Sequence, residues 1–193
     1  MSHPPNMTMR LCRQMLAVAT IFIATPSAAE PIKPQETDTD IYALMSGTCS
    51  TLRIAGRDFA CRAVAYFHSK HGRANFTIAL DDPTDEAHVI SFSGENGQRQ
   101  QEDLYQLPID RMLLNSKNRP KVDGLPVPFV ELSAGICTQL GNFAARQVSS
   151  ISCSAMDKNG KTYELQFVSD GLPITLRRVR PSPPTIRQHP SAR

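Results

Sequence analysis

The 193-residue chain carries a formal charge of +3, is 40% apolar, and has five cysteines, eight Phe, four Tyr and no Trp. Nothing beyond its first 29 residues is long and apolar enough to span a bilayer as a helix. The aromatics sit mostly at strand-core positions, which argues against an aromatic sugar-binding platform.

Residues 1–29 read as a secretory signal. Arg10 and Arg13 come without an acid, Met15 to Ala24 form an apolar stretch of signal rather than membrane-span length, and Ser27-Ala28-Ala29 is a small-residue exit. Cleavage after Ala29 removes Cys12 and two arginines and leaves a formal charge of about +1 on a chain long enough for one domain or two small ones. Five arginines of the last 17 residues, with no acid among them, make the end basic and the body slightly acidic.

Residues 30–47 read as a proline-bearing linker followed by a short helix. Asp38 and Asp40 would sit at its positive end, Ile41, Leu44 and Met45 on one face, and Gly47 would end it. From residue 48 the period shortens to two. Phe59, Cys61, Ala63, Ala65 and Phe67 share one face of a strand, Phe76, Ile78 and Leu80 share another, and His68 to Gly72 turns between them. A further run, His88 to Ser93, follows the acidic turn Asp81 to Glu86 and stops at Gly94-Glu-Asn-Gly97, where two glycines allow positive φ.

This first β module, residues 48–97, is followed by a bridging segment, 98–134. The bridge contains a strand from about Ile109 to Leu114 and a proline-rich run, Leu125 to Leu132, that suits only an edge strand. The second module, 135–179, has runs at 135–140, 147–156, 162–169 and 174–179, with Asn159-Gly160 as the strongest hairpin signal. Residues 180–193 hold four prolines and nothing to pack, and read as a disordered basic tail.

Cys49 to Cys137 and Gly72 to Gly160 are both offset by 88 residues, which suggests an internal duplication. At that offset, however, Phe76, Ile78 and Leu80 fall on Glu164, Gln166 and Val168, whereas the apolar face of the second run is Tyr163, Leu165 and Phe167. A one-residue slip turns a strand inside out, so the faces align only if one turn differs in length. The segments Phe59 to Val64 and Ile151 to Met156 agree better in spacing and face. Four cysteines in an exported chain predict two disulfides. Three connectivities are open, and equivalence of the modules favours Cys49 with Cys61 and Cys137 with Cys153.

The acidic turn and the histidine after it, Asp81, Asp82, Asp85, Glu86 and His88, are the candidate binding residues. Their spacing matches no calcium loop, and a solvated turn around Pro83 accounts for them. His88 beside Asp85 and Glu86 has the make-up of a base with an orienting acid, but no nucleophile motif accompanies it. His68 and His71 flank a turn rather than share a helix face. No Cys-x-x-Cys occurs, and neither a metal nor a cofactor is expected. The basic end lacks interleaved aromatics, so nucleic acid is not an expected partner.

The segment Gly-Arg-Asp-Phe-Ala-Cys-Arg-Ala-Val at Gly56 to Val64, together with the signal and the two cysteine pairs, resembles uncharacterised exported proteins of bacteria. That resemblance implies envelope localisation and no assigned activity. Small disulfide-bonded β-barrel inhibitors of lysozyme share the size and compartment by analogy only. The expectation is a mostly β protein of antiparallel strands in two disulfide-pinned halves, forming a barrel or sandwich. It would be periplasmic or secreted, and a non-enzymatic binding or structural component of the envelope, an envelope protein being its possible partner. The alternatives are an inhibitor of a secreted hydrolase and an enzyme whose site is scattered in sequence.

Overall fold

Alternation of inward apolar and outward polar residues recurs along residues 40–179, and among these described residues it builds strands without helices. The computed structural model describes residues 40–179, so the expected signal, the first part of the linker and the basic tail lie outside the described residues. The strands are β1 (Asp40–Ile54), β2 (Arg57–Asp58), β3 (Ala63–His68), β4 (Ala74–Ala79), β5 (Val89–Gly94), β6 (Gln98–Gln101), β7 (Leu104–Asn115), β8 (Lys121–Val122), β9 (Leu125–Pro126), β10 (Phe129–Asn142), β11 (Gln147–Asp157), β12 (Thr162–Ser169) and β13 (Thr175–Val179).

Eight of them run up and down in the order β1, β3, β4, β5, β7, β10, β11, β12, and β12 pairs back onto β1 to close an antiparallel barrel. Closure pairs the staves on both sides along most of their length, and eight staves give an interior that side chains alone can fill. Tyr163, Phe76, Phe92, Phe167, Met45 and Met112 are among the largest side chains that fill it, all fully buried.

The expected antiparallel, disulfide-pinned β fold is therefore present as one barrel, and both expected bridges form. Cys137 and Cys153 face each other across the β10–β11 ladder. Cys49 on β1 is bridged to Cys61, just before β3. Each bridge thus ties one stave to the next.

Several local expectations change. Residues 40–45 are strand, not helix: Ala43 and Met45 point inward and Leu44 outward, the period of a strand paired on both sides, with β3 and with β13. The predicted face of β3 is inverted. Val64 and Tyr66 are buried while Ala63, Ala65 and Phe67 are half-buried, because the chain is irregular around Arg62 and changes parity there. Cys61 accordingly precedes a strand, whereas Cys153 sits inside one, so the two cysteine segments do not share a local geometry. The inward faces expected for β4 and β12 are present as read. At the β5 turn, positive φ falls on Asn96 rather than on Gly94 or Gly97. Gly94 serves close approach instead, since a Cβ there would lie 1.8 Å from the Pro108 carbonyl oxygen.

Strand direction sorts the loops into two ends. At the Tyr66 end lie the β3–β4 turn, the β5–β7 segment with β6, the β10–β11 turn and residues 170–174. At the Asp82 end lie the β1–β2 turn, residues 59–62, the β4–β5 loop, the β8–β9 hairpin and the β11–β12 turn. On the outside near the Tyr66 end, Arg73 makes a two-pronged contact with Asp110 (3.0 Å for each pair) and also bonds Ser93 and Glu95, locking β4, β5 and β7 together.

Candidate functional site

The acidic candidates lie in the β4–β5 loop at the Asp82 end, and the loop sorts them into different tasks. Asp82 is buried: its Oδ1 accepts from the Thr84 amide (3.0 Å) and hydroxyl (2.7 Å), and its Oδ2 lies 2.9 Å from His88 Nδ1. Arg57, on β2, stands 3.8 Å from the same carboxylate and lies over the Phe59 ring, whose edge meets the His88 imidazole. The Thr84 hydroxyl, the His88 imidazole and the Thr84 amide hold the Asp82 carboxyl well below the usual carboxylate range.

Asp85 instead accepts from the Ala87 amide and from the Lys117 amide across the gap to the next loop (3.1 and 3.0 Å). Asp81 and Glu86 are exposed, and Asp81 reaches only Arg62, at 4.0 Å. The structure therefore joins Asp82 to His88 and leaves the other three apart. Among the described residues no cluster of three His, Cys, Asp or Glu is placed to hold a metal.

An acid bonded to an imidazole has the form of an orienting acid and its base. Chemistry would also need a nucleophile on the far ring nitrogen. The Thr84 hydroxyl, which shares Asp82 with the imidazole, bonds to that carboxylate, and Phe59 packs against the imidazole. The pair works as a latch that fixes the loop against β2. His68 and His71 do not meet either: His68 is half-buried against Tyr66, and burial lowers its pKa, while His71 is exposed.

Two surfaces that sequence reading did not single out carry more binding potential. The first is an arm at the Asp82 end. The β8–β9 hairpin turns tightly at Asp123-Gly124, both at positive φ, a two-residue connection that suits Asp-Gly. Its base is tied by the Val127 amide donating to the Pro120 carbonyl and by Arg119 Nε donating to the Val127 carbonyl, with the Arg119 guanidinium over the Phe129 ring.

Beyond the arm, Phe129–Leu132 of β10 pairs with β7 alone, because β11 ends at Asp157 opposite Ser133. The expected edge strand is thus a free edge four residues long. Val122, Leu125, Val127, Phe129, Val130 and Leu132 are all exposed here, Leu125 by 72%. The signal was in the sequence: an apolar run broken by Pro120, Pro126 and Pro128, residues that remove backbone donors from a ladder.

The second surface is the mouth at the Tyr66 end, a pocket of about 330 Å³ floored by Tyr66 and Phe143, whose rings stack 4.6 Å apart. A wider, shallower groove of about 730 Å³ lies beside it, over Leu140, Val168 and Leu172, with Asp103 and Arg146 at its rim. Burial, reinforced by each other's proximity, pushes the Tyr66 hydroxyl far up, and burial raises Tyr105 as well.

No family model, curated protein or solved structure matches the chain. Function has to be argued from these surfaces. The two disulfides, and the absence among the described residues of any helix long and apolar enough to cross a membrane, are compatible with an extracytoplasmic protein.

Proposed function

We propose that the chain is a periplasmic or secreted, non-enzymatic binding protein, and that it docks an extended apolar segment of a partner protein on the arm and free edge at residues 121–132. One observation carries this reading: half of the large apolar side chains exposed on the described surface fall within residues 122–132, beside a strand with one edge unpaired. Clustered exposed apolar groups mark interaction surfaces, and an unpaired edge offers backbone donors and acceptors to an added strand. The charged tip residue Asp123 disfavours insertion of the hairpin into lipid. The latch role of Asp82 and His88 supports the non-enzymatic part, and the two disulfides suit an envelope address.

The test places a photo-crosslinking residue at Val122 and, as a control on the same end, at Lys158 in the producing cell. The reading expects an adduct from position 122 alone, its loss in Leu125→Asp/Val130→Asp, and slowed amide exchange of Phe129–Leu132 in the complex. Adducts from both positions, or unchanged exchange along that edge, would contradict it.

The three prolines that brace the arm favour one further reading, an inhibitor whose stiff hairpin enters the cleft of a secreted hydrolase. Lysozyme and protease assays at micromolar protein decide it: inhibition abolished by Leu125→Asp supports the inhibitor, and full enzyme activity removes it.

A further inference from the structure

The mouth at the Tyr66 end combines three kinds of group that are not satisfied within the described chain. Its walls are apolar and aromatic, from Ile41, Tyr66, Phe143 and Leu176, and no carboxylate lines it among the described residues. Arg99 faces it, donates to the backbone carbonyls of Glu102 (2.8 Å) and Gly141 (3.5 Å), and makes no ion pair with a described carboxylate; Arg178 adds a second positive charge to the lining.

Behind this lining lies a hydroxyl pair. Tyr66 donates to Tyr105 at 3.3 Å, and the proton of Tyr105 meets no acceptor among the described residues. Both hydroxyls stay protonated, since burial opposes their ionisation. Gln139, cross-strand partner of Tyr105 and fully buried, donates Nε2 to the same Gly141 carbonyl that Arg99 reaches, and its Oε1 has no partner.

Buried polar atoms such as Gln139 Oε1 are rarely left without partners, because their desolvation goes uncompensated. Arg99 and Arg178 are exposed at the edge of the pocket and free to meet an anion there. Here two exposed cations and an aromatic ring border one small concavity, with the Tyr105 hydroxyl and Gln139 behind its lining. A flat apolar body would lie against Phe143, which the Tyr66 ring backs, and a carboxylate on that body would face the arginines. A ligand of few heavy atoms suits a pocket at the small end of the ligand-site range.

We propose that the barrel mouth binds a small aromatic carboxylate, ring against Phe143 and carboxylate toward Arg99. This site lies at the opposite end from the docking arm and does not depend on it.

Benzoate is the probe, with benzyl alcohol and benzylamine as its neutral and cationic counterparts, followed by amide chemical shifts of the full exported chain. Benzoate should give saturable shifts at Tyr66, Arg99 and Phe143 and bind about tenfold or more tighter than benzyl alcohol. Arg99→Gln should erase that preference, Arg99→Lys should keep most of it, and Phe143→Ala should weaken both ligands. The spectra themselves report whether each variant is folded. Absence of saturable shifts at the mouth, equal binding of benzoate and benzyl alcohol, or a preference that survives Arg99→Gln would overturn the proposal.

Discussion

His88 Nδ1 lies 2.9 Å from Asp82 Oδ2, six residues away in the same loop, and the carboxylate at the centre of that contact is almost wholly buried. Asp82 titrates below its ordinary value when folded, so its stabilising contribution is complete above the unfolded carboxylate range of about 4 and is lost as pH falls through the depressed native value. Asp82→Asn should lower the melting temperature at neutral pH, and the gap to the wild type should persist through mildly acidic pH and close only in strong acid. Melting curves of both proteins across that range decide it; a gap that closes near pH 4 would mean that the carboxylate is not held as described.

Arg73 anchors three staves from the outside of the barrel. Burial opposes ionisation of Asp110, and the hydrogen bonds from Arg73 and Arg111 outweigh it, leaving the Asp110 carboxyl below its usual value. Arg73→Ala should cost about 1–2 kcal/mol in urea unfolding, since its charge-assisted hydrogen bonds reach carboxylates that are half exposed and screened by water. Arg73→Lys should recover only part, since an ammonium cannot reproduce the planar fork.

How much of this was readable in advance varies with the length of the pattern. Strands β4 and β12 alternate cleanly enough that Phe76, Ile78 and Leu80, and Tyr163, Leu165 and Phe167, were placed on the correct faces. Residues 40–45 were not, because Ile41, Leu44 and Met45 fit a helical face as well as a strand, and only pairing with β3 and β13 decides between them. Strand β3 was inverted by one irregular residue, Arg62, that no alternation rule can see. Barrel closure depends on β7 meeting β10 and on β12 meeting β1, non-local pairings without a local signature.

The candidate site was legible in the same uneven way. The acidic turn and His88 stand out in the sequence, where Asp85 and Glu86 are the natural partners of His88, whereas the folded turn sets Asp82 against it. The mouth was not legible, since Tyr66, Tyr105 and Phe143 come from two strands and a turn far apart in sequence.

The buried tyrosines give an alkaline prediction of opposite sign. Tyr66 and Tyr105 have raised native values, so the unfolded chain gives up their protons first, and stability should fall as pH rises past about 10. Spectrophotometric titration of the native protein should show Tyr66 ionising only as the barrel unfolds, and Tyr66→Phe should shrink that late step by one tyrosine.

Each disulfide closes a short loop between neighbouring staves, with sequence separations of 12 and 16 residues. Loops of that length predict a loss of about 3 kcal/mol when Cys137 and Cys153 are both replaced by Ala, and a slightly smaller loss for Cys49 with Cys61. Non-reducing peptide maps and urea curves of the two double variants check pairing and magnitude together.

The central claim is that the protein works by taking up a partner strand along Phe129–Leu132, and amide hydrogen exchange of the protein bound to its crosslinked partner reads this most directly. The account predicts that protection rises along Phe129–Leu132 and the β8–β9 hairpin while the rest of the barrel is unchanged. Protection that rises elsewhere and leaves that edge exchanging as in the free protein would contradict it.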